Sequence, residues 1–168
     1  VQDVWFELPM DTATTARVSQ LALAKGLLPD GQSLSDQISE LSRERLGRIG
    51  LRLGFRPDQL DRFQPWLAEA SVAVAAFQME GASGKDGVEQ ILSRQLGPKV
   101  TREAFETPEQ QIGFLAGASH ADQLASLEET LRQIDEDPQA YRALVDAWMA
   151  ADLAALDAEA LQPVRQST

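Results

Sequence analysis

The chain has 168 residues, 43% of them apolar and 24% charged, a composition typical of one globular domain with a hydrophobic core. Its formal net charge of −11 argues against binding to nucleic acid or to an anionic membrane surface, because both need clustered lysine and arginine. The best candidate for an apolar span, residues 71–79, is too short to cross a bilayer. The absence of cysteine excludes disulfides and thiolate metal sites.

The first predicted element is a strand at about residues 4–8, within the apolar stretch VWFELPM. Asp11 and Thr12 then form a good N-cap pair for a helix that ends at Gly26. Residues 33–54 carry apolar side chains mostly three to five positions apart, which predicts one or two amphipathic helices.

A central helix is predicted where Pro65 occupies a first helical position and leads an apolar sequence to Glu80. Because this helix is apolar around most of its circumference, we expect it to be buried, with Trp66 in the core. Residues 87–97 predict a further helix. Residues 99–105 predict a second short strand, which β-branched side chains favour.

From Thr107 onward the whole pattern is helical. Thr107 stands at an N-cap position, proline follows it, and Gln110 comes three residues later, which is close to a capping box. Residues 121–137 predict the next helix, and the one after it carries Trp148, which we expect in the core. Asp152 is expected to cap a last helix.

These elements predict a mainly α fold with two short β-strands that looks like an incomplete α/β domain. We expect residues 1–168 to form a single domain or a domain fragment. Within it, a multi-helix insertion at about residues 33–97 would separate strand–helix parts at 1–32 and 98–168.

Two carboxylates are candidates for chemistry. Glu7 lies mid-strand between apolar neighbours, where an acid is costly unless it is paired, protonated or bound to something. It either serves a site or faces outward on a half-exposed strand, and the residues alone leave both interpretations open. Glu106 ends the second strand, at the side where ligands bind in α/β sheets. Spacing alone favours the alternative, a helix-capping role for Glu106 next to Thr107.

The single histidine, His120, limits the available chemistry, because catalytic triads and most zinc sites need histidine. Metal or acid–base chemistry carried wholly by this chain must therefore rest mostly on carboxylates. His120 lies between two predicted helices, where a cap or a solvated side chain is the commoner role. The acidic run between Glu128 and Asp137 indicates a solvated face and lacks the pattern of a calcium loop.

The stretches VWFELPM, LPDGQSLSD, GVEQIL, ETPEQQ and AWMAADLAAL occur in an order that resembles the TraB/PrgY/GumN family. That family is related to the Tiki membrane proteases and belongs to a wider group of erythromycin-esterase-like and ChaN-like folds. The strongest matches are residues 28–36 and residues 106–111, the latter close to the family's LETxEEQ. Gly87 with Glu89 matches a Gly-x-Asp position of the family. The resemblance covers nearly all of the chain.

The resemblance implies an α/β sheet with a helical insertion and a metal-dependent hydrolase, peptidase-like and acting on peptides by analogy to the Tiki proteins. The family's site is expected to combine two Gly-x-x-His motifs with acidic residues, a set that suits a divalent metal and water-dependent hydrolysis. By position, Glu7 matches the glutamate of the second strand, and Glu106 with Thr107 matches the ETxEEQ stretch. Glu7 and Glu106 would then be the catalytic and metal-binding residues, together with histidines that this chain lacks.

The chain also departs from the family pattern. One Gly-x-x-His is expected before VWFELPM and the other after the last helix, and neither occurs in this sequence. Gly117 and His120 have the right spacing, but they lie at an ordinary helix connection, so we treat the match as chance. We therefore expect the central portion of a family member, inactive alone and without a tightly bound cofactor. The resemblance also points to the periplasm or cell surface, which no residue specifies.

Two further interpretations stay open. The chain could be a non-catalytic helical module that binds a protein or forms a homodimer, because exposed strand edges and apolar helix faces favour pairing with another chain. A pocket among the helices for haem or a lipid is suggested only by relatives in the wider fold group.

Overall fold

A computed structural model describes residues 2–85 and 87–158. Over these residues the chain forms two short strands and eight α-helices, so the fold is mainly α, as predicted. The elements in chain order are β1 (Asp3–Phe6), α1 (Thr12–Gly26), α2 (Glu40–Leu53), a 3-10 turn (Pro57–Gln59), α3 (Pro65–Met79), α4 (Val88–Gln95), β2 (Thr101–Ala104), α5 (Pro108–Ala116), α6 (His120–Glu136), α7 (Ala140–Met149) and α8 (Leu153–Leu156).

The two strands pair in parallel, in a register that places Trp5 beside Glu103. Both are shorter than predicted, residues 3–6 instead of 4–8 and residues 101–104 instead of 99–105. The first strand ends early because Pro9 follows closely and cannot donate to a ladder. The second starts late because the Val100 N–H bonds back to the Gly97 carbonyl at 3.2 Å, which closes a turn before the strand.

Helix starts follow the local sequence signals. The Asp11 carboxylate accepts a hydrogen bond from the Thr14 N–H at 2.7 Å, and Pro65 is the first residue of α3, as predicted. The helix predicted from residue 33 begins only at Glu40, with Ser39 as its N-cap. Residues 33–38 form turns instead, and their apolar side chains are nevertheless buried, which explains why the helical pattern extended too far.

The main core lies where α2, α3 and α6 pack together. Its apolar residues come from the loop before α2, from all three helices and from the turn between α2 and α3. The buried members are Leu28, Leu34, Ile38, Leu46, Ile49, Leu60, Ala68, Val72, Leu127 and Leu131. The core therefore joins segments that are far apart along the chain.

Ion pairs hold α2 against α6 outside this core. The Arg48 guanidinium donates to Asp135 Oδ2 at 2.6 Å, and Arg45 donates to Glu136 Oε1 at 2.8 Å. The Glu128 carboxylate accepts from the Ser39 N–H at 2.6 Å, at the start of α2. The prediction of a solvated acidic face was therefore wrong in part. Glu129, Glu136 and Asp137 are exposed, but arginines of α2 lie opposite Asp135 and Glu136.

A second packing unit surrounds the strands. α1 packs against α5, and the Arg17 Nε donates to Glu109 Oε1 at 2.7 Å between them. Phe6 and Ile112 are buried in this unit. Because α1 follows β1 and α5 follows β2, this contact sets the positions of the two strand ends.

Two expectations about the core were wrong in part. Trp66 is buried as predicted, but Trp148 is exposed, because Ala147 faces inward and the next helical residue turns about 100° away. Only the first half of α3 is buried, and Phe77 in its second half is partly exposed, with its ring 4.5 Å from that of Tyr141. Among the described residues, no helix has both the length and the apolar character needed to cross a membrane.

Candidate functional site at the strand ends

The two predicted site residues, Glu7 and Glu106, lie side by side at the carboxyl ends of the parallel strands. Each follows its strand within two residues, and the Glu106 N–H donates to the Glu7 carbonyl at 3.0 Å. The parallel register explains this proximity, since the carboxyl ends of parallel strands lie at the same edge. The fold therefore brings together two acids that are 99 positions apart in the sequence (106 minus 7).

The Glu7 side chain is held by the first turns of α5. The Gln111 Nε2 donates to Glu7 Oε1 at 2.5 Å. The start of α5 is itself defined by a capping box, in which the Thr107 hydroxyl accepts from the Gln110 N–H at 3.2 Å and the Gln110 side chain accepts from the Thr107 N–H at 2.9 Å. The capping box predicted from the sequence is thus confirmed, and it sets the helix geometry that places Gln111 beside Glu7.

A third carboxylate, Glu89, reaches the same edge from the first turn of α4. Its Oε1 accepts a hydrogen bond from the Glu7 N–H at 3.2 Å. Sequence reasoning noted Glu89 only as a match to a Gly-x-Asp position and did not propose it, or Gln111, for the site. We name these four residues, Glu7, Glu89, Glu106 and Gln111, the strand-end cluster.

Glu106 differs from the other acids of the strand-end cluster. It is partly buried, and its side chain forms no hydrogen bond or ion pair among the described residues. The hydrogen-bonded cap of α5 is Thr107, so Glu106 is not the capping side chain that its position suggested. An acid just before a helix is still favoured by the positive end of the helix dipole.

An open cleft of about 790 Å³ adjoins the strand-end cluster. It is lined by the chain between Leu8 and Thr12, by hydroxyl-bearing residues in the first turns of α1, and by the start of α4. Of the acids in the strand-end cluster, Glu89 lines the cleft. Glu7 lies next to the cleft, because its neighbour Leu8 lines the cleft and its N–H donates a hydrogen bond to Glu89. The cleft is large enough for a small molecule or a short peptide segment.

Comparison with known families decides the relationship of this chain. The family model described as the TraB/PrgY/gumN family matches residues 1–168. The chain belongs to the TraB/PrgY/gumN family. A search of curated proteins and a search of solved structures each found no match.

Three of the stretches that carry the resemblance to the TraB/PrgY/gumN family meet in the strand-end cluster. VWFELPM contributes Glu7, GVEQIL contributes Glu89, and ETPEQQ contributes Glu106 and Gln111. Hydrogen bonds to Glu7 link these stretches across 82 and 104 positions of the chain. The family motifs are therefore neighbours in space, although they are distant in sequence.

The described residues of this TraB/PrgY/gumN member contain no cluster of three or more candidate metal ligands. Over residues 2–85 and 87–158, no group of three or more histidine, aspartate and glutamate side chains is placed to hold a metal ion. Glu7 Oε1 and Glu89 Oε1 already accept hydrogen bonds. His120 is the first residue of α6 and is exposed, and no hydrogen bond or ion pair between described residues connects it to the cluster.

Proposed function

We propose that the strand-end cluster is this chain's contribution to the site of a peptidase-like hydrolase. The observation that carries the proposal is the Glu7 carboxylate, which accepts from the Gln111 amide at the edge of a cleft, while the Glu7 backbone bonds to the Glu89 carboxylate and to the Glu106 N–H. Carboxylates at such an edge are suited to bind or deprotonate an attacking water. Family membership supports the assignment, and the hydrolytic activity itself is our proposal.

In this proposal Glu7 accepts a proton or a hydrogen bond from the attacking water. Gln111 occupies Oε1 and orients the carboxylate, while Oε2 forms no hydrogen bond among the described residues. Glu106, without a side-chain partner among those residues, is the second acid available to the reaction. A divalent metal belongs to the proposal only with ligands beyond the described carboxylates, and the roles of Glu7 and Glu106 do not depend on one.

The test compares peptide hydrolysis by the intact polypeptide that carries residues 1–168 with hydrolysis by its Glu7→Gln and Glu106→Gln variants. Loss of the general base or of the second acid is expected to lower kcat/KM by about 10²–10⁴-fold. Glu103→Gln is the matched control, because Glu103 is an exposed acid on β2 outside the strand-end cluster. It should leave kcat/KM unchanged.

Two results would overturn this proposal. One is a wild-type protein that cleaves none of a diverse peptide pool, with zinc or manganese supplied. The other is hydrolysis that survives Glu7→Gln at the wild-type rate. A separate calorimetric experiment titrates zinc into the chain of residues 1–168. Because the described residues contain no three-ligand group, we expect no tight zinc binding in this experiment.

A second candidate function is self-assembly through the open face of the strands. Trp5 is 52% exposed and Phe105 is 71% exposed, and their rings lie 5.0 Å apart on the same face. Parallel sheets are normally covered on both faces, so this aromatic pair favours a covering partner. Light scattering after size exclusion at two concentrations tests a homodimer. A monomer at both concentrations would exclude it, and Trp5→Ser should dissociate a dimer.

A further inference from the structure

One edge of β1 faces away from β2, and we call it the outer edge. Among the described residues the sheet consists of β1 and β2 alone, so no strand pairs with the outer edge. The Gln2 carbonyl accepts from the Thr101 N–H at 2.9 Å. The Phe6 carbonyl accepts from the Phe105 N–H, also at 2.9 Å. These two carbonyls therefore point away from the outer edge.

The planar peptide bond fixes the direction of the backbone groups on the outer edge. In a trans peptide the N–H points opposite to the carbonyl of the preceding residue. The N–H groups of Asp3 and Glu7 therefore point away from β2, because the carbonyls of Gln2 and Phe6 point towards it. Trp5 lies between them, and directions along a strand repeat every two residues, so its N–H and carbonyl also point outward. The side chains of Asp3, Trp5 and Glu7 are all exposed.

One of the three outward N–H groups already has an acceptor. The Glu7 N–H donates to Glu89 Oε1 at 3.2 Å, so a carboxylate of α4 lies where the carbonyl of a third strand would lie. The N–H groups of Asp3 and Trp5 form no hydrogen bond with a described residue. A row of unpaired backbone groups at a sheet edge is a template for pairing with another extended chain.

The outer edge leads to the cleft beside the strand-end cluster. β1 ends at Phe6, and both Leu8 and Glu89 line the cleft. A segment lying along the outer edge would therefore continue into the cleft. The Trp5 side chain is 52% exposed and offers an apolar contact to a neighbouring side chain of such a segment.

We propose that the outer edge of β1 binds the peptide substrate in an extended conformation, as a third strand. Peptide carbonyls accept from the N–H groups of Asp3 and Trp5, and peptide N–H groups donate to the carbonyls of the same two residues. Such main-chain pairing gives affinity, and side-chain contacts such as that with Trp5 add preference. The proposal names the substrate class as extended, unfolded segments, and it rests on the proposed function for placing the cleaved bond in the cleft.

The experiment measures binding of a fluorescein-labelled hexapeptide, acetyl-Lys-Val-Thr-Val-Tyr-Lys-amide, to the intact polypeptide that carries residues 1–168. Two isomers carry N-methyl groups, one on the second and fourth residues and the other on the third and fifth. An added strand turns only alternate N–H groups towards its neighbour. One isomer should therefore bind about tenfold more weakly than the parent peptide, and the other should bind like it. All three peptides have the same charge, so their nonspecific attraction to a chain of net charge −11 is equal.

Asp3→Pro tests the outer edge from the side of the protein. Proline is tolerated as the first residue of a strand, and here it removes an outward N–H without removing a bond to β2. The matched control is Asp3→Ala, which removes the same side chain and keeps the N–H. Asp3→Pro should weaken the parent peptide by about fivefold, and Asp3→Ala should leave its affinity unchanged. The comparison of N-methyl isomers needs no variant, so it holds even if proline disturbs β1.

Deuterium exchange locates the bound peptide. The peptide should slow exchange at the Trp5 amide by about tenfold or more and leave the Leu131 amide of the core unchanged. Binding without cleavage would contradict the proposed hydrolysis and still support strand addition. Strand addition is overturned if the parent peptide does not bind, if both isomers bind equally, or if a cleaved peptide leaves exchange at Trp5 unchanged. Protection of Trp5 without peptide would also overturn it, because the polypeptide itself or a second copy would then cover the outer edge.

Discussion

Gln111 donates a 2.5 Å hydrogen bond to Glu7 across 104 positions of sequence. The bond joins the residue after β1 to the helix after β2, so it links two motif stretches that have no local connection. It also orients one particular carboxylate oxygen. This single contact therefore offers the most direct test of the strand-end cluster.

An amide–carboxylate exchange tests the contact between Glu7 and Gln111. Gln111→Glu places two carboxylates together and should lower the free energy of unfolding by about 0.5–1 kcal/mol. Glu7→Gln removes the charge and should cost less. The double variant restores an amide facing a carboxylate, so its stability should return close to wild type. Urea denaturation of all four proteins measures the coupling, and strictly additive losses would show that the contact is absent in solution.

The contact between α2 and α6 should make stability depend on acid pH. The hydrogen bond from the Arg48 guanidinium holds the pKa of Asp135 below its ordinary value. A lowered pKa in the folded state gives stability that is complete above the ordinary pKa and is lost as pH decreases through the folded one. Asp135→Asn should therefore cost no more than about 1 kcal/mol at pH 7, since solvent screens the exposed Arg48. The difference should shrink progressively as pH falls below the ordinary carboxyl range and through the lowered pKa of Asp135.

Denaturation at a series of pH values measures this effect. Glu44→Gln is the matched control, because Glu44 approaches the same Arg48 only at 3.9 Å on an exposed helix face. The control should change stability within experimental error at every pH. A wild-type advantage over Asp135→Asn that persisted undiminished at pH 2 would contradict the assignment. Glu129, whose pKa is lowered to about 2 by hydrogen bonds from Arg132 and Gln133, should respond in the same direction.

The capping box at the start of α5 should be measurable by one isosteric change. Thr107→Val removes the hydroxyl that accepts from the Gln110 N–H and should lower the free energy of unfolding by about 1 kcal/mol. Thr101→Val is the control, because Thr101 is an exposed strand residue with no side-chain hydrogen bond among the described residues, and valine favours strands. Thermal denaturation compares the two. If Thr107→Val melts at the same temperature as Thr101→Val, Thr107 does not cap the helix.

Two glycines should respond in opposite directions to alanine. A Cβ at Gly26 would collide with Leu67 Cδ2 and lie 3.1 Å from Trp66 Cζ2, so Gly26→Ala should destabilise by about 1–3 kcal/mol. Gly47 lies inside α2 with no atom within 4 Å of such a Cβ. Gly47→Ala should therefore stabilise by up to about 1 kcal/mol. Urea denaturation gives both values, and a neutral Gly26→Ala would mean that Gly26 does not lie against Leu67 and Trp66.

Local signals predicted the elements of this fold well, and long-range packing explains the errors. Asp11, Pro65 and Thr107 act within one helical turn, so their effect could be read from the sequence. Leu34 kept a helical spacing because the core selects apolar residues in turns as well as in helices. The exposure of Trp148 depends on which face of α7 meets the rest of the chain, and spacing does not specify that.

The strand-end cluster was only half predictable. Glu7 was chosen because an acid among apolar neighbours is costly, and Glu106 because it ends a strand. Their proximity depends on parallel pairing over a long separation, which no local signal encodes. Gln111 and Glu89 were missed because neither is unusual in an exposed first or second helical turn. The Gly87-x-Glu89 spacing was the signal that could have pointed to Glu89.

The division between the two packing units has a consequence for motion. The α2–α3–α6 core holds most of the fully buried side chains, whereas Phe6 and Ile112 are the buried apolar residues of the unit around the described strands. Opening free energies increase with buried contact, so the strand amides should exchange with deuterium well before those of α6. The acids at the strand ends thus stand on the part of the molecule that should open first, while the helical core remains folded.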